Sequence, residues 1–115
     1  MKKIEAIIRP EKLEVIRQGL LEHGVSGMTI LDVLGMGKEQ GYIEMYRGTE
    51  YKIEFLPKTK LELIVDDEVL EPCIELIIKE GRTGAIGDGK IFISDIEQMI
   101  SIRTGERGVP AGVTS

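Results

Sequence analysis

The chain has a single cysteine, Cys73, and a single histidine, His23. One cysteine excludes an internal disulfide and favours a reducing, cytoplasmic setting. One of each leaves no Cys/His cluster suited to zinc, and no Ser/His/Asp arrangement is supported. His23 sits at a helix end beside Gly24, where a dipole contact explains it better than catalysis. Positive charge is also in deficit: 15 Lys and Arg against 20 Asp and Glu give a net charge of −5. A nucleic-acid backbone needs clustered cations, so none is expected as partner, although a small cationic pocket stays open. Aromatics are few, and no apolar run approaches the roughly 18 residues of a membrane span. The opening MKKIEAIIRPEK lacks the apolar core and cleavage site of a secretion signal.

What is present fits one domain. The 115 residues are 42% hydrophobic, enough for a limited core that oligomerisation would supplement. Residues 3–27, KIEAIIRPEKLEVIRQGLLEHGVSG, align without gaps on residues 60–84, KLELIVDDEVLEPCIELIIKEGRTG. Lys3/Lys60, Glu5/Glu62, Ile7/Ile64, Glu11/Glu68, Leu13/Leu70, Glu14/Glu71, Gly24/Gly81 and Gly27/Gly84 are identical pairs. Each half reads as a strand, a helix and a glycine stop.

The first strand is expected over about 2–9, buried on much of both faces, and Arg9-Pro10 ends it. Leu13, Ile16, Leu20 and Leu21 stripe a helix over about 11–23, with Gly24 as its cap. Strands are expected at 28–37, 58–65 and 90–96, and a short fifth segment at 99–103. A second helix spans about 67–80, with Asp66 and Asp67 at its start and Cys73 on its apolar stripe. Pro72 lies early enough in it to cost no hydrogen bond, or else delays its start. The order is βαββαβ, a ferredoxin-like α+β sandwich with both helices on one face. Right-handed crossovers place the first and third strands side by side in the middle.

The halves differ by two insertions. Residues 82–89 separate Gly81 from the fourth strand, whereas only 25–27 separate Gly24 from the second. The longer connection contains TGAIGDGKIF (83–92), in which Gly84 to Lys90 spell G-x-x-x-x-G-K. A hydrolase phosphate loop runs from strand to helix and follows its Lys with Ser or Thr. This one runs from helix to strand and has Ile91 there, so the NTPase reading is rejected. An anion cradle survives, because Gly84, Gly87 and Gly89 permit positive φ and convergent N–H groups. Lys90 adds a charge and Thr83 a hydroxyl. The second insertion, 37–55, holds all three tyrosines, Tyr42, Tyr46 and Tyr51, and suits partner contact.

Six fragments in order resemble the PII nitrogen-regulatory signal proteins. They are MKKIEAIIRPEKLE, GMT (27–29), YRGTEY (46–51), FLPK (55–58), TGAIGDGKIF and IRTGE (102–106), and the likeness covers about residues 1–108. It implies a homotrimer of ferredoxin-like subunits, each a single domain over 1–115 with a C-terminal loop and tail at 102–115. ATP or ADP would bind between subunits, joined by 2-oxoglutarate through Mg²⁺. Loop 37–55 would contact a target such as an ammonium transporter or a nitrogen-assimilation enzyme. Membrane association would come only through such a target.

The resemblance also implies residue roles. Gly87, Asp88, Gly89 and Lys90, with Arg82, Thr83 and Gly84 of loop 82–90, would hold the nucleotide phosphates. Ile7, Thr29, Gly35, Glu62 and Ile64 would surround base and ribose. Gly37 and Lys38 would approach the phosphates, and Arg103 would reach them from a neighbouring subunit. Lys58 would pair with a 2-oxoglutarate carboxylate, near Gly37, Lys38, Glu39, Gln40 and Gly41. Arg47 and Tyr46 would lie at the target-binding tip, and Tyr51 where some bacterial members are uridylylated.

The sequence departs from the family at several of these positions. Glu39 stands where the family usually has a Mg²⁺-coordinating Gln. A carboxylate can bind Mg²⁺ but repels a dianion, so 2-oxoglutarate binding is expected to be weakened or altered. Ser101 stands where many members have Arg, and Thr49 where Ala or Ser is usual. The expected role is a non-enzymatic regulator of nitrogen metabolism, since no dedicated general base is evident. The alternatives are a slow ATP-hydrolysing protein of the same fold and a relative that senses adenylates alone.

Overall fold

The computed structural model describes residues 1–37, 43–44, 50–51 and 54–108, with side chains for 1–36 and 55–108. Strand β1, Lys2–Ile8, alternates strictly: Ile4, Ala6 and Ile8 are buried, and Lys3, Glu5 and Ile7 occupy the other face. The expected burial of both faces is therefore met on one only, because the second face carries charges. Pro10 opens a single 3₁₀ turn, Pro10–Lys12, that leads straight into α1, Leu13–Glu22. Pro10 suits that position because its missing N–H would have no helical partner there.

Helix α1 buries Ile16, Gly19 and Leu20. It ends in a Schellman motif: Val25 N–H donates to Leu20 O and Gly24 N–H to Leu21 O, each at 3.0 Å. The motif needs a left-handed residue, and Gly24 supplies it at φ +85°. The chain reverses at once into β2, Thr29–Gly37. A short pair follows, β3 (Ile43–Glu44) and β4 (Glu50–Tyr51), and then β5, Glu54–Val65. Helix α2 is Asp67–Gly81, and β6 is Lys90–Asp95. The four long strands form an antiparallel sheet in the order β2-β5-β1-β6, so the first and third are central neighbours as expected. Ile4, Ala6, Leu61, Leu63 and Val65 of the sheet pack with Ile16, Leu20, Cys73 and Ile77 of the helices in one core. Burial pushes the Cys73 thiol pKa up, which keeps it protonated and inert.

Four further expectations need correction. The third long strand begins at Glu54 rather than 58, reaching through Pro57 to pair Phe55 with Met36. Beyond Thr59 it has β2 alone beside it, where a missing proline donor is better tolerated than between two neighbours. Pro72 lies inside α2, which starts at Asp67, so the exposed Glu68 carbonyl loses its helical donor. Gly81 is not a stop but the last helical residue, buried against Ile16. The segment 99–103 is not a strand. Ser101 is buried, its N–H donates to Glu106 O at 2.9 Å, and its O accepts from Gly105 N–H at 2.7 Å. That folds the chain back, leaving one isolated bridge, Ile100 to Arg107. Most of 37–55 and the tail from 109 lie outside the described residues. Among the described residues no helix is long and apolar enough to cross a membrane.

The two helices meet where α1 has no side chain. A Cβ on Gly19 would lie 2.7 Å from both Leu76 methyl carbons. Alanine gains about 1 kcal/mol of helix propensity, which offsets a small shift of the Leu76 tip. A leucine cannot be accommodated that way. Gly19→Leu should therefore lower stability by about 1–3 kcal/mol, while Gly19→Ala stays near neutral, as read by denaturant unfolding.

Candidate functional site

Sheet register gathers many of the predicted residues on one face. Thr29 pairs with Glu62, Ile64 with Lys3, and Ile7 with Lys60 and Lys90. Because side chains alternate, Ile7, Thr29, Gly35, Gly37, Lys58, Glu62, Ile64 and Lys90 all belong to the face opposite the helices. At its centre Lys3 and Lys60 alternate with Glu5 and Glu62. Lys3 Nζ lies 3.1 Å from both carboxylates, and Lys60 Nζ lies 3.2 Å from Glu5. Bonds from Lys3 and then Lys60 hold the Glu5 carboxyl below its ordinary pKa, and Glu62 and Glu5 raise that of Lys3.

The glycine loop hangs at one end of this sheet, and the Asp88 carboxylate organises it. One oxygen accepts the N–H groups of Thr83 and Gly84, both at 2.8 Å. The other accepts the Thr83 hydroxyl and Arg9 Nε, the latter at 2.9 Å. Arg9 also donates from Nη2 to Ile86 O at 3.1 Å. Thr83, through its hydroxyl and amide, holds the Asp88 carboxyl far below the usual range, aided by Arg9 and Gly84. Thr83 and Gly84 thus point their amides at a carboxylate of the chain itself. Gly87 and Gly89, both at φ +107°, shape the outer part of the loop, and Arg82 and Lys90 are exposed beside it.

Two close approaches fix the loop to the sheet. Lys58 Nζ donates to Gly87 O at 2.7 Å. A Cβ on Gly89 would fall 1.7 Å from the Ile7 carbonyl oxygen, so the backbone there tolerates no side chain at all. Helix α2 and β6 border a cleft of about 430 Å³ on the helix side of the sheet. Ile74, Ile77, Ile91 and Ile93 wall it, and the loop touches it only at Arg82 and Asp88–Lys90.

Arg9 is the residue that sequence reading missed. Its place before Pro10 marks it only as the end of a strand, yet its guanidinium joins β1 to the loop. The signal lay in register: Ile7 pairs with Lys90, so the chain just past Ile7 must lie beside residues just before Lys90. Arg103 stands on a separate exposed turn at 102–104. Ser101 is committed to structure, its Oγ accepting Thr104 N–H at 3.3 Å. Lys38, Glu39, Gln40, Gly41, Tyr46 and Arg47 lie outside the described residues, as does the side chain of Tyr51. Among the described residues no cluster of His, Cys, Asp or Glu is placed to hold a metal ion.

Asp88 makes the loop pH-sensitive in a definite direction. Its folded-state pKa is depressed, so its stabilising contribution is complete above the unfolded value of about 4 and fades as pH falls further. The melting-temperature gap between wild type and Asp88→Asn should be widest near neutrality and shrink below about pH 4. A gap that does not change with pH would remove Asp88 from this role. Gly89→Ala should destabilise more than Gly84→Ala, whose added Cβ meets nothing within 4 Å, although both carry positive φ.

Comparison with known proteins completes the picture. The family model described as "Nitrogen regulatory protein P-II" matches residues 1–106. "Nitrogen regulatory protein P-II" of Haemophilus influenzae is 54% identical over 111 residues, covering 96% of this chain and 99% of that protein. The protein of the same name from Pasteurella multocida is 52% identical over the same shares. "Nitrogen regulatory protein P-II 1" of Escherichia coli K12 is 51% identical over 106 residues, 92% of this chain and 95% of its own. With its loop geometry, sheet order and this similarity along nearly its whole length, the chain belongs to the nitrogen regulatory protein P-II family.

Proposed function

We propose that this protein is a non-enzymatic, cytoplasmic signal carrier of nitrogen metabolism that binds ATP or ADP at boundaries between the subunits of a homotrimer. The observation that carries the reading is the loop 82–90. It is pre-shaped by Asp88, flanked by the exposed cations Arg82 and Lys90, and placed at the end of a sheet face bearing Ile7, Thr29, Glu62 and Ile64. Phosphates would engage Gly87, Gly89 and Lys90, with Arg82 and a neighbouring subunit's copy of Arg103 adding charge. Asp88 would act through the loop's shape, since its oxygens already serve Thr83, Gly84 and Arg9. Base and ribose would lie against Ile7, Thr29, Gly35, Glu62 and Ile64.

Assembly is supported by apolar surface that one subunit leaves bare. Leu34, Met36 and Phe55 near the far ends of β2 and β5 are about two-thirds exposed, and Ile102 is fully exposed. Loop 37–55, with Arg47, Tyr46 and Tyr51, would report the bound state to a target such as an ammonium transporter.

A second reading narrows the effector set. Glu39 replaces the usual Gln, which favours an adenylate sensor with weakened or altered 2-oxoglutarate binding. Any Mg²⁺ would be held by the nucleotide phosphates, with Glu39 or Gln40 beside it.

Three measurements test these readings. Native mass spectrometry with ATP and ADP should show trimers carrying up to one nucleotide per subunit, and Lys90→Ala should weaken ATP binding by about tenfold or more. Hydrolysis at about 1 s⁻¹ or faster would overturn the non-enzymatic reading. Calorimetry with Mg-ATP present should show weak or absent 2-oxoglutarate binding, and ordinary micromolar affinity would refute the narrower one.

A further inference from the structure

Gly35 lies in the middle of β2, paired with Leu56 in regular register, and its φ is not in the left-handed region. Nothing in its backbone asks for glycine, and glycine weakens a strand unless something must pass close by. Here something does. A Cβ on Gly35 would lie 2.9 Å from Lys58 Cγ and 3.7 Å from Lys58 Cε, with the Leu56 oxygen next, at 3.9 Å. Lys58 is opposite Val33, on the same sheet face two residues along. Its stem therefore lies across the empty Gly35 position, and its ammonium ends on the Gly87 carbonyl at 2.7 Å.

We infer that Gly35 is a positioning residue that keeps a channel open for the Lys58 stem, so that the Lys58 ammonium pins the glycine loop through Gly87. The strand β2 thereby sets the shape of a loop to which it is not bonded. An anionic ligand seated near that ammonium would meet a loop already fixed in place. The use of this coupling in ligand binding rests on the proposed function, whereas its test does not.

The test uses three backgrounds: wild type, Lys58→Met, which keeps Cγ but loses the charge, and Lys58→Ala, which removes Cγ. Amide hydrogen exchange of residues 86–90 in ligand-free protein reads the loop, and melting temperature reads the strand. Lys58→Met should speed loop exchange about tenfold, as loss of the charged hydrogen bond to the Gly87 carbonyl implies. Gly35→Ala should speed loop exchange in the wild-type background. It should also lower the melting temperature in the wild-type and Lys58→Met backgrounds, but change neither readout in Lys58→Ala. An equal stability loss in all three backgrounds would overturn the inference, because Gly35 would then serve the strand alone. Unchanged loop exchange in Lys58→Met would overturn it as well. ATP calorimetry on the same variants separates the two readings: no ATP binding to wild type with the exchange pattern intact leaves the coupling standing and removes the nucleotide site.

Discussion

A single carboxylate, that of Asp88, joins the three parts on which the candidate site depends. Arg9 brings β1 to it, Thr83 and Gly84 bring the chain leaving α2, and the glycine loop closes around it. A partly buried carboxylate with four donors is held in its charged form, which is why its pKa is driven so far down. The cost of ordering a glycine-rich segment is therefore met largely within the folded chain. The proposed ligand at Gly87 and Gly89 would have less backbone to order than in an open loop, which is the physical content of preorganisation.

This arrangement also reconciles an acidic protein with the anion site proposed for it. The net charge of −5 sets the far field, but the loop's own acid is spent on Arg9 and backbone donors. What the loop turns outward is Arg82 and Lys90. Similarly, Glu5 and Glu62 at the centre of the open sheet face are matched by Lys3 and Lys60, so that centre carries little net charge. Local pairing decides the sign of each patch, because exposed charges beyond about 10 Å are largely screened at ordinary salt.

The sequence made the strand and helix order, the central pairing of the first and third strands and the glycine loop legible, because periodicity and an internal repeat report directly on buried faces. Its errors have local causes. Pro57 hid the first residues of β5, since a proline reads as a strand break when its neighbour count is unknown. Ser101 and Gly105 hid a tight turn inside MISIRTG, which by composition alone reads as extended. Arg9 stayed invisible because its partner is 79 residues away and only register brings them together. Family resemblance makes Gly35 a ligand contact, and only the side-chain path of Lys58 reveals what else its empty position allows.

The two halves of the repeat explain why one of them carries the loop. Gly24 and Gly81 are equivalent by alignment but end their helices in opposite ways. Gly24 adopts φ +85°, completes a Schellman motif and turns the chain back toward the sheet immediately. Gly81 stays helical, buried with Ile16 Cδ1 beside it, and the following Arg82 is extended at φ −77°, ψ 132°. An extended exit carries the chain away from the sheet, so it must turn later. The glycines at 84, 87 and 89 make that turn, and Asp88 fastens it. A helix that ends without a reversal thus leaves a longer connection to its strand, and that connection is the glycine loop. The first half, with its prompt glycine cap, has no such loop.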